Sequence, residues 1–425
     1  MRVSETNYMK DFQCIGPDCE ATCCFGWEIG LCKKDVDNLN DLTQRHKDLK
    51  HLKKAFAKKK TADPNSGVLG ALVLDKGMHC QFLDEGLCRI HRDYGEHYIP
   101  MVCATYPRVY YKLPQGTELH GKLSCPEVAR LCLLNSEATR VEEPVEKDIN
   151  SVFGVNRFLV QSKDFYHKLL PQVMQTIRFI WDCSDFSCSQ KHYLCLYLAR
   201  KCQSFYHRDV QQNPETRLNR VLGQFMDPIF LEKRAKSLES VSEMGPKVKN
   251  LILTVLGASF EGLQFDRLNE LLINAFEGAG VDRALFRIDQ ADEVQRLLDY
   301  FSSMRAHVLD RFGERVEHYF NHFSRNVWFQ ALYMGSKDLL TANKKLLISW
   351  FLIRFAFFSH KKTHMALESS QDEAAFGLLD EAMVESTHVM MRSIDANETI
   401  QDHVLHALDI LEFNSLEDLA SLIRV

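Results

Sequence analysis

The sequence lacks the kinds of apolar segment that would direct it to, or across, a membrane. Residues 1–12 contain no run of about 7–15 apolar residues such as a secretory signal requires. The longest apolar run, Leu346–Phe358, is interrupted by Ser349 and Arg354 and is shorter than the ~20 residues that span a bilayer. We therefore expect a cytoplasmic protein with no membrane partner, in which this run forms a buried core helix.

A strong net charge of either sign is also absent. The 52 lysines and arginines stand against 57 aspartates and glutamates, which gives a formal net charge of −5. A local basic stretch, Lys53–Lys60, has the character of a solvated helix face. The composition therefore predicts no nucleic-acid partner.

Cysteine is missing from the C-terminal half of the chain. Of the 14 cysteines, ten lie between Cys14 and Cys132, and none follows Cys202. Because the cytoplasm keeps thiols reduced, clustered cysteines there indicate metal binding or catalysis and not disulfides. The N-terminal part is therefore predicted to form a metal or cluster module.

The spacing of apolar residues predicts a mainly α fold. From about residue 151 onward they recur at helical intervals, as in Val294–Phe312, and turn residues divide the region into about ten helices. The acidic segment Asn135–Asn150 loses this pattern and contains Pro144. The predicted organisation is a cysteine-rich metal or cluster module with minor β structure over residues 1–135, followed by a multi-helix α domain over residues 151–425.

Local patterns predict several further elements. They are a helix over about Lys33–Lys60, a loop at Asp63–Gly67, short strands or a hairpin at Val68–Leu69 and Leu72–Leu74, a turn at Asp84–Gly86, and a helix N-cap at Asp289. The turn is the most informative of these elements. It allows Cys80 and Cys88, with seven residues between them, to converge on one centre.

Two groups of cysteines make up the predicted site. The first lies in Phe12–Cys24, FQCIGPDCEATCC, and the second lies in His79–Val109 and is followed by Cys125. Four thiolates suit either zinc or an iron–sulfur cluster, and the spacing leaves that choice open. Eight thiols exceed one four-thiolate site, so either two centres exist or some cysteines support one centre. The predicted metal ligands are Cys14, Cys19, Cys23, Cys24, Cys80, Cys88, Cys103 and Cys125.

Residues 8–132 resemble the bacterial flagellin lysine N-methylase family, within a wider group that shares a CxxCxxCC-type iron- or zinc-chelating domain. The resemblance depends on FQCIGPDCEATCC, on CQFLDEGLCRIHRDYGEHYIPMVCATYPRV and on SCPEVAR, which occur in this order. It implies an enzyme that transfers methyl groups from S-adenosylmethionine to lysine side chains of flagellin. It also implies a [4Fe–4S] cluster as cofactor.

The sequence departs from related patterns in two ways. Its first cysteine group reads C-x4-C-x3-C-C, where the wider group commonly has C-x2-C-x2-C-C. It also lacks the C-x3-C-x2-C triplet that marks radical S-adenosylmethionine enzymes. These departures argue against the standard radical route and leave the identity of the ligating cysteines open.

A glycine-rich turn between a strand and a helix, which would mark a Rossmann-type nucleotide site, is absent. Gly278–Gly280 lies between helical segments and is interpreted as a turn. The S-adenosylmethionine site is therefore expected to be non-standard. The cluster itself is one candidate, if one iron keeps a position open for the amino and carboxylate groups of the methionine part.

Methylation of lysine requires a neutral amine, whereas free lysine has a pKa of about 10.4. The predicted catalytic residues are Tyr106 and Arg108, and the predicted cofactor-binding residues are Arg89 and His91. Three further residues near the cysteines are candidate proton acceptors, and for each a structural role is favoured. They are His79, Asp84 and Glu85.

Two other patterns are interpreted as structural. His318 and His322 stand four residues apart on a helix, but no third metal ligand accompanies them. Cys188, Cys195 and Cys202 repeat every seven residues on an apolar helix face, which together with the nearby Cys183 favours buried packing. Neither pattern is predicted to form a second metal site.

Two other functions remain open at this point. The first is a zinc-binding interaction protein without enzymatic activity, which the missing cofactor motif favours. The second is a radical S-adenosylmethionine enzyme. The sequence leaves undetermined the target lysines, the presence of a second metal and the oligomeric state.

Overall fold

The structure is a computed structural model that describes residues 2–26, 29–58, 68–113, 116–147, 156–157, 165–206, 214–242, 245–257, 266–282, 291–330, 336, 338–396 and 405–424. Within these residues the protein is mainly helical, with small β-sheets in the cysteine-rich N-terminal region. The predicted fold class is therefore confirmed. The predicted loop Asp63–Gly67 and the predicted N-cap Asp289 lie outside the described residues.

The second part of the chain contains most of the helices that the structure describes. They are α6 (Phe165–Asp182), α7 (Cys188–Tyr206), α8 (Pro214–Gln224), α9 (Pro228–Lys236), α10 (Pro246–Gly257), α11 (Asp266–Gly278), α12 (Ala291–Phe329), α13 (Leu339–Ser359), α14 (Lys361–Glu368), α15 (Asp372–Ala396) and α16 (Leu416–Arg424). The first part contributes α1 (Asn7–Lys10), α2 (Lys33–Arg45), α3 (Arg89–Tyr94), α4 (Met101–Thr105) and α5 (Pro126–Leu134).

Helix α13 forms the centre of the helical part. Its residues are almost all buried, including Trp350, Phe351 and Arg354, and Asp338 caps its N-terminus by accepting a hydrogen bond from the Thr341 amide. The predicted core helix over Leu346–Phe358 is thus confirmed. Among the described residues, no helix is long and apolar enough to cross a membrane.

The longest helix, α12, contains the predicted helical segment Val294–Phe312 and continues beyond Gly313. Its backbone leaves the helical region at Phe312, with φ −127° and ψ 21°, so the helix kinks there. A glycine next to the kink allows the change of direction at little steric cost. The buried Val308, Val316 and Tyr319 continue one apolar face through the kink.

A five-stranded sheet in the N-terminal part of the chain contacts these helices. The strand order is β10–β7–β8–β1–β9, where β1 is Arg2–Glu5, β7 is Arg108–Leu113, β8 is Gly116–Gly121, β9 is Val145–Glu146 and β10 is Asn156–Arg157. Strands β1 and β8 are parallel, whereas β7 and β8 are antiparallel. The expectation that β structure stays within the first 130 residues is wrong for β9 and β10, because two-residue strands leave no alternation to detect.

The sheet joins helix α12 at Gly121, the last residue of β8. Tyr8 accepts a hydrogen bond from the Gly121 amide at 2.7 Å and donates to Asn326 at 2.5 Å, and Asn326 and Gln330 donate to the Gly121 carbonyl. A Cβ at this position would lie 2.4 Å from the Met9 sulfur, so only glycine fits. This buried network fixes the sheet on the helical part.

The sheet and the helices also share one hydrophobic core. Val3, Tyr8 and Val128 belong to the same continuous cluster as Phe320 and Trp350. A second, smaller cluster around Leu39, Leu42, Phe82 and Ile90 supports the cysteine-bearing loops. The division at residues 135–151 stays a prediction, since the apolar contacts cross it.

The structure corrects the local predictions for residues 33–74. Helix α2 ends at Arg45, and a 3₁₀ helix covers Lys47–Ala55 where one continuous helix was predicted. Phe56–Lys58 then forms β3, which pairs with β4 (Gly70–Leu72), and β4 also pairs with β2 (Gly30–Leu31). The apolar spacing at Leu49 and Leu52 fits either helix type, because both bury every third or fourth residue.

A buried ion pair between the sheet and α6 yields a stability prediction. Glu118 on β8 accepts two hydrogen bonds from Arg178, at 2.9 and 2.7 Å, and lies 3.2 Å from His120. Burial disfavours the carboxylate, but the hydrogen bonds and the Arg178 charge outweigh it and lower the Glu118 pKa to about 2. Glu118→Gln should therefore lower the free energy of unfolding by about 3 kcal/mol near pH 7.

The difference in the free energy of unfolding between wild type and Glu118→Gln should depend on pH. A carboxylate with a lowered pKa stabilises the fold above its unfolded pKa near 4.5, and the effect is lost as pH falls toward 2. Urea titration across this range should show the difference between wild type and Glu118→Gln shrinking with acid. Glu137→Gln, which breaks an exposed pair with Arg140, is the matched control and should change stability little. Equal losses in both variants would contradict the prediction.

Candidate functional site

Seven cysteines line one cavity of about 300 Å³, which we call the cysteine cavity. This volume corresponds to that of about ten water molecules at ~30 Å³ each. The two cysteine groups that the sequence set apart therefore meet around a common space. The lining cysteines are Cys14, Cys19, Cys23, Cys24, Cys80, Cys88 and Cys103.

The first group lies on a loop, since only Gly16–Asp18 form a short 3₁₀ turn there. Gly16 takes a φ of 59°, in the left-handed region that glycine tolerates, and its carbonyl accepts a hydrogen bond from the Cys19 amide at 3.2 Å. The Thr22 hydroxyl accepts from the Cys24 amide at 3.2 Å. These local bonds turn successive thiols of the loop toward the cavity.

A hairpin brings Cys80 and Cys88 to the same space. Strands β5 (Leu83–Asp84) and β6 (Leu87–Cys88) pair, and the connecting Glu85 and Gly86 both have positive φ. Two positive φ values in a two-residue loop are typical of a tight hairpin turn. The predicted turn at Asp84–Gly86 is thus confirmed, and the Cys80 amide donates to the Cys24 carbonyl at 2.8 Å, which joins the two groups.

Cys103 reaches the cavity from helix α4, which Asp35 holds in place. The Asp35 carboxylate accepts hydrogen bonds from the amides of Met101 and Cys32, both at 2.9 Å. Asp35 is buried and belongs to the first turn of α2. No sequence pattern indicates this residue, because its partner Met101 lies 66 residues away along the chain.

Cys125, the eighth predicted ligand, lies apart from the others. It is buried at the N-terminus of α5 and does not line the cysteine cavity. Burial raises the pKa of its thiol to about 12, and the thiols of Cys19 and Cys23 add to this. It is therefore near the first cysteine group, but its role as a ligand stays a prediction.

Several thiols of the cavity have raised pKa values and so resist ionisation. Burial raises the pKa of Cys80 to about 11 and raises those of Cys88 and Cys103, with smaller contributions from neighbouring cysteines. The hydrogen bond to Cys24, followed by burial, raises the pKa of Cys23. A bound metal centre compensates such thiolates and releases their protons.

Zinc and an iron–sulfur cluster require different spacings between their thiolate ligands. Zinc bound at about 2.3 Å by tetrahedral thiolates needs sulfurs only ~3.8 Å apart. Among the described residues, no three histidine, cysteine or acidic side chains are grouped closely enough to hold one metal ion. An iron–sulfur cluster places iron and sulfide between its thiolates and needs a larger space. Seven thiols lie around a space of about 300 Å³.

Tyr106 and Arg108 both line the cysteine cavity. The Tyr106 hydroxyl lies 3.3 Å from the Ser124 hydroxyl, and burial raises its pKa well above 10.0, so it is a neutral hydrogen-bonding group. The Arg108 guanidinium lies over the Phe12 ring at 5.0 Å. The structure thus brings both predicted catalytic residues to the cavity wall.

The structure separates the two predicted cofactor-binding residues. His91 is exposed and lines the cysteine cavity. Arg89 instead pairs with Asp48 at 2.6 Å and with Asp93 at 3.5 Å, and it does not line the cavity. These contacts attach α3 to the 3₁₀ helix that contains Asp48. Arg89 therefore has a structural role.

The remaining candidates lie outside the cysteine cavity. Asp84 pairs with Arg92 at 2.7 Å, and Glu85 forms part of the hairpin turn. His79 is exposed, and its ring lies 5.0 Å from that of Phe25 in a different cavity. Only Tyr106, Arg108 and His91 of the non-cysteine candidates therefore contact the cysteine cavity.

The two patterns interpreted as structural lie in or at the edge of the core, with His318 and Cys183 half-buried. Cys188, Cys195 and Cys202 on α7 are fully buried, which confirms their packing role. The rings of His318 and His322 lie 4.5 Å apart, and His322 Nδ1 is 3.3 Å from the Thr139 hydroxyl. No third ligand accompanies this pair among the residues that the structure describes.

Comparison with known proteins supplies the decisive observation for the helical part. Residues 180–422, more than half of the chain, match the model of the FliB lysine N-methylase C-terminal domain. The chain belongs to the FliB lysine N-methylase family. The match covers the region in which the sequence showed no motif, so the family assignment and the N-terminal cysteine pattern support each other.

Three curated relatives of this FliB family member come from Salmonella. It is 27% identical over 171 residues to the flagellar biosynthetic protein FliU of Salmonella muenchen, which covers 38% of this chain and 94% of FliU. It is 29% identical over 146 residues to a lysine-N-methylase of Salmonella typhimurium and 27% identical over 155 residues to one of Salmonella choleraesuis. These matches span 33% of this chain and 35% of each lysine-N-methylase. No solved structure matches the chain.

The family-matched region contributes a residue that binds the first cysteine loop and that the sequence did not reveal. Arg392 on α15 donates to the carbonyls of Ala21, Thr22 and Phe25, at 3.1, 2.8 and 2.5 Å. Burial lowers its pKa, while Tyr106 and nearby cysteines favour its charge. Because Arg392 follows Thr22 by 370 residues, only the folded chain shows that a helix holds the first cysteine loop.

Proposed function

We propose that the protein transfers methyl groups from S-adenosylmethionine to lysine side chains of flagellin. The observation that carries this proposal is the match of residues 180–422 to the lysine N-methylase domain. The relatives named lysine-N-methylase support the reaction, and the flagellar name of FliU supports the flagellar substrate. The reaction belongs in the cytoplasm, where the free thiols of the cavity stay reduced.

The proposed cofactor is a [4Fe–4S] cluster in the cysteine cavity. The cysteines that line it would hold the iron ions, with Cys19 from the first cysteine loop and Cys103 from helix α4, and Cys125 as a nearby thiol. A bound cluster supplies an iron centre that polarises neighbouring groups or transfers single electrons. Arg392 keeps the first cysteine loop in position and places a positive charge beside it.

Methyl transfer to lysine requires the protein to prepare and align the reacting atoms. The lone pair of a neutral lysine nitrogen forms a bond to the methyl carbon while the carbon–sulfur bond breaks, which leaves S-adenosylhomocysteine and a proton. The chain must therefore desolvate the lysine and align nitrogen, carbon and sulfur. Tyr106 and Arg108 are the proposed catalytic residues, since both present hydrogen-bond donors at the cavity wall.

The two predicted regions take separate tasks in this proposal. Residues 1–135 carry the cluster, and residues 151–425 recognise the flagellin surface around the lysine. Helix α15 connects these tasks, because it contacts the cysteine loop through Arg392 and lies in the family-matched region.

Incubation of anaerobically purified protein with flagellin and S-adenosylmethionine tests the function. Mass spectrometry should show flagellin gaining one to several methyl groups, with fragment ions that place them on lysine side chains. Unmodified flagellin under both oxic and reducing conditions would contradict the proposal and favour a zinc-binding interaction protein. Release of 5′-deoxyadenosine under reductant would indicate the radical mechanism.

A further inference from the structure

A second group of cavities lies next to the first cysteine loop. One cavity of about 560 Å³ and another of about 330 Å³ share Glu20, Arg267 and His388. We call their combined space the charged cleft. Both volumes fall within the range that is usual for small-molecule sites, about 300–1,000 Å³. None of the site residues predicted from the sequence as ligands or catalysts lies in this cleft.

We propose that the charged cleft binds S-adenosylmethionine, with the adenosine part against Phe25 and His79 and the amino-acid part between Arg267 and the carboxylates of Glu20 and Glu385. The inference rests on the proposed methyltransferase function and names the site of its methyl donor. It differs from coordination of the donor by the cluster, because the cleft and the cysteine cavity are different spaces.

The adenosine end is assigned from the aromatic groups. Phe25 and His79 both line the smaller cavity, and their rings lie 5.0 Å apart. Half of the His79 side chain is exposed, so a ligand can reach it. A purine gains from contact with such flat surfaces, and the apolar Val389 lies in the same cavity.

The amino-acid end is assigned from charges of both signs. Arg267 donates to the Glu20 carbonyl at 3.0 Å, while its other terminal nitrogen is 3.9 Å from Glu385, so this guanidinium can still receive a carboxylate. The Glu20 carboxylate is bound by Arg130 at 2.6 Å, and that of Glu385 lies 3.4 Å from Lys362. A site with paired cations and anions suits the zwitterionic methionine part better than a ligand of one sign.

His388 lines both cavities, and one of its ring nitrogens is buried without a hydrogen-bond partner among the described residues. It is 1% exposed, and its Nδ1 has no hydrogen-bond partner among the described residues. Buried polar atoms in native proteins nearly always have a partner, so a ligand donor such as an amine or ribose hydroxyl is expected there. Burial lowers the His388 pKa to about 3, so the imidazole is neutral beside the sulfonium.

The cleft is close to the proposed cluster. Thr22 lines both the smaller cavity and the cysteine cavity, so the loop that carries Cys19 and Cys23 forms the wall between them. Arg392 also lines the smaller cavity and binds the backbone of this loop. Donor and cluster would thus occupy neighbouring spaces that meet at Thr22, and Tyr106, whose hydroxyl interacts electrostatically with Arg392, is close to both.

Two ligands test the proposal on the full-length, cluster-containing protein. S-adenosylhomocysteine has both parts of the donor, whereas 5′-methylthioadenosine lacks the amino-acid part. Isothermal titration calorimetry should show that Arg267→Gln weakens the binding of S-adenosylhomocysteine at least about tenfold and leaves the binding of methylthioadenosine unchanged. Phe25→Leu should weaken the binding of both ligands.

Arg296→Gln is the control, because Arg296 is an exposed α12 arginine that lies in neither cavity of the cleft. It should bind both ligands as the wild type does. Equal weakening of both ligands by Arg267→Gln, or no effect, would overturn the assignment. So would loss of S-adenosylhomocysteine binding in Cys103→Ser alone, since that result places the donor on the cluster.

Failure of the site and failure of the function give different results. A wild-type protein that methylates flagellin while both cleft variants bind S-adenosylhomocysteine normally refutes only the site. A wild-type protein that binds neither ligand and does not methylate refutes the methyltransferase function, and the cleft assignment with it.

Discussion

Cys103→Ser and Cys19→Ser are each expected to abolish the brown chromophore of anaerobically purified protein. Both thiols line the cysteine cavity, one from helix α4 and one from the N-terminal loop, so each variant removes a ligand from one side. The wild type should contain about four iron and four sulfide per chain, and the variants close to none. Iron and sulfide analysis with the visible absorption spectrum measures the effect.

Cys195→Ser is the matched control for these two variants. Cys195 is fully buried on α7 and lies outside the cysteine cavity. It should keep the chromophore and lower the free energy of unfolding by roughly 1–3 kcal/mol. Full absorbance in Cys19→Ser and Cys103→Ser would show that other thiols hold the centre. A colourless wild type that contains zinc and still methylates flagellin would refute the cluster.

Arg392→Met should also remove most of the cluster, although Arg392 is not a ligand. Its guanidinium is the charged donor to three carbonyls of the first cysteine loop. Methionine keeps the apolar part of the side chain but leaves these carbonyls without that donor, at a cost of about 3 kcal/mol. The loop then no longer presents Cys19 and Cys23 in a fixed position, and we expect iron content to fall severalfold.

Arg311→Met separates this effect from a general loss of stability. Arg311 on α12 also donates to three backbone carbonyls, those of Ala366, Leu367 and Ser369, and it lines a cavity without cysteines. Both variants should show lower thermal midpoints, but only Arg392→Met should lose iron. Equal iron content in the two proteins would mean that Arg392 has no special relation to the cysteine loop.

Part of the site could be predicted because its signal is local. Cysteine has few other uses at such density in a reducing compartment, and the Asp84–Gly86 turn has its own backbone chemistry. Asp35 and Arg392 carry no such signal, since acidic and basic residues are common on helices. Their importance arises from partners that are distant in the chain and adjacent in space.

The charged cleft illustrates the same limit. Glu20 comes from the cysteine loop, Arg267 from the first turn of α11 and His388 from the middle of α15. Each residue alone has the character of an ordinary surface or core side chain. Only the packing of these three elements against one another makes a cavity with charges of both signs.

The sequence by itself determined the helical fold class, the buried helix α13 and the set of cysteines, because apolar periodicity and residue chemistry are properties of short segments. The tertiary structure decided which cysteines share a cavity, that Cys125 stands apart from it, and that α15 holds the loop of Cys19 and Cys23. These facts depend on contacts between residues up to 371 positions apart. Such contacts are fixed by how the helices and loops pack together, which no local pattern encodes.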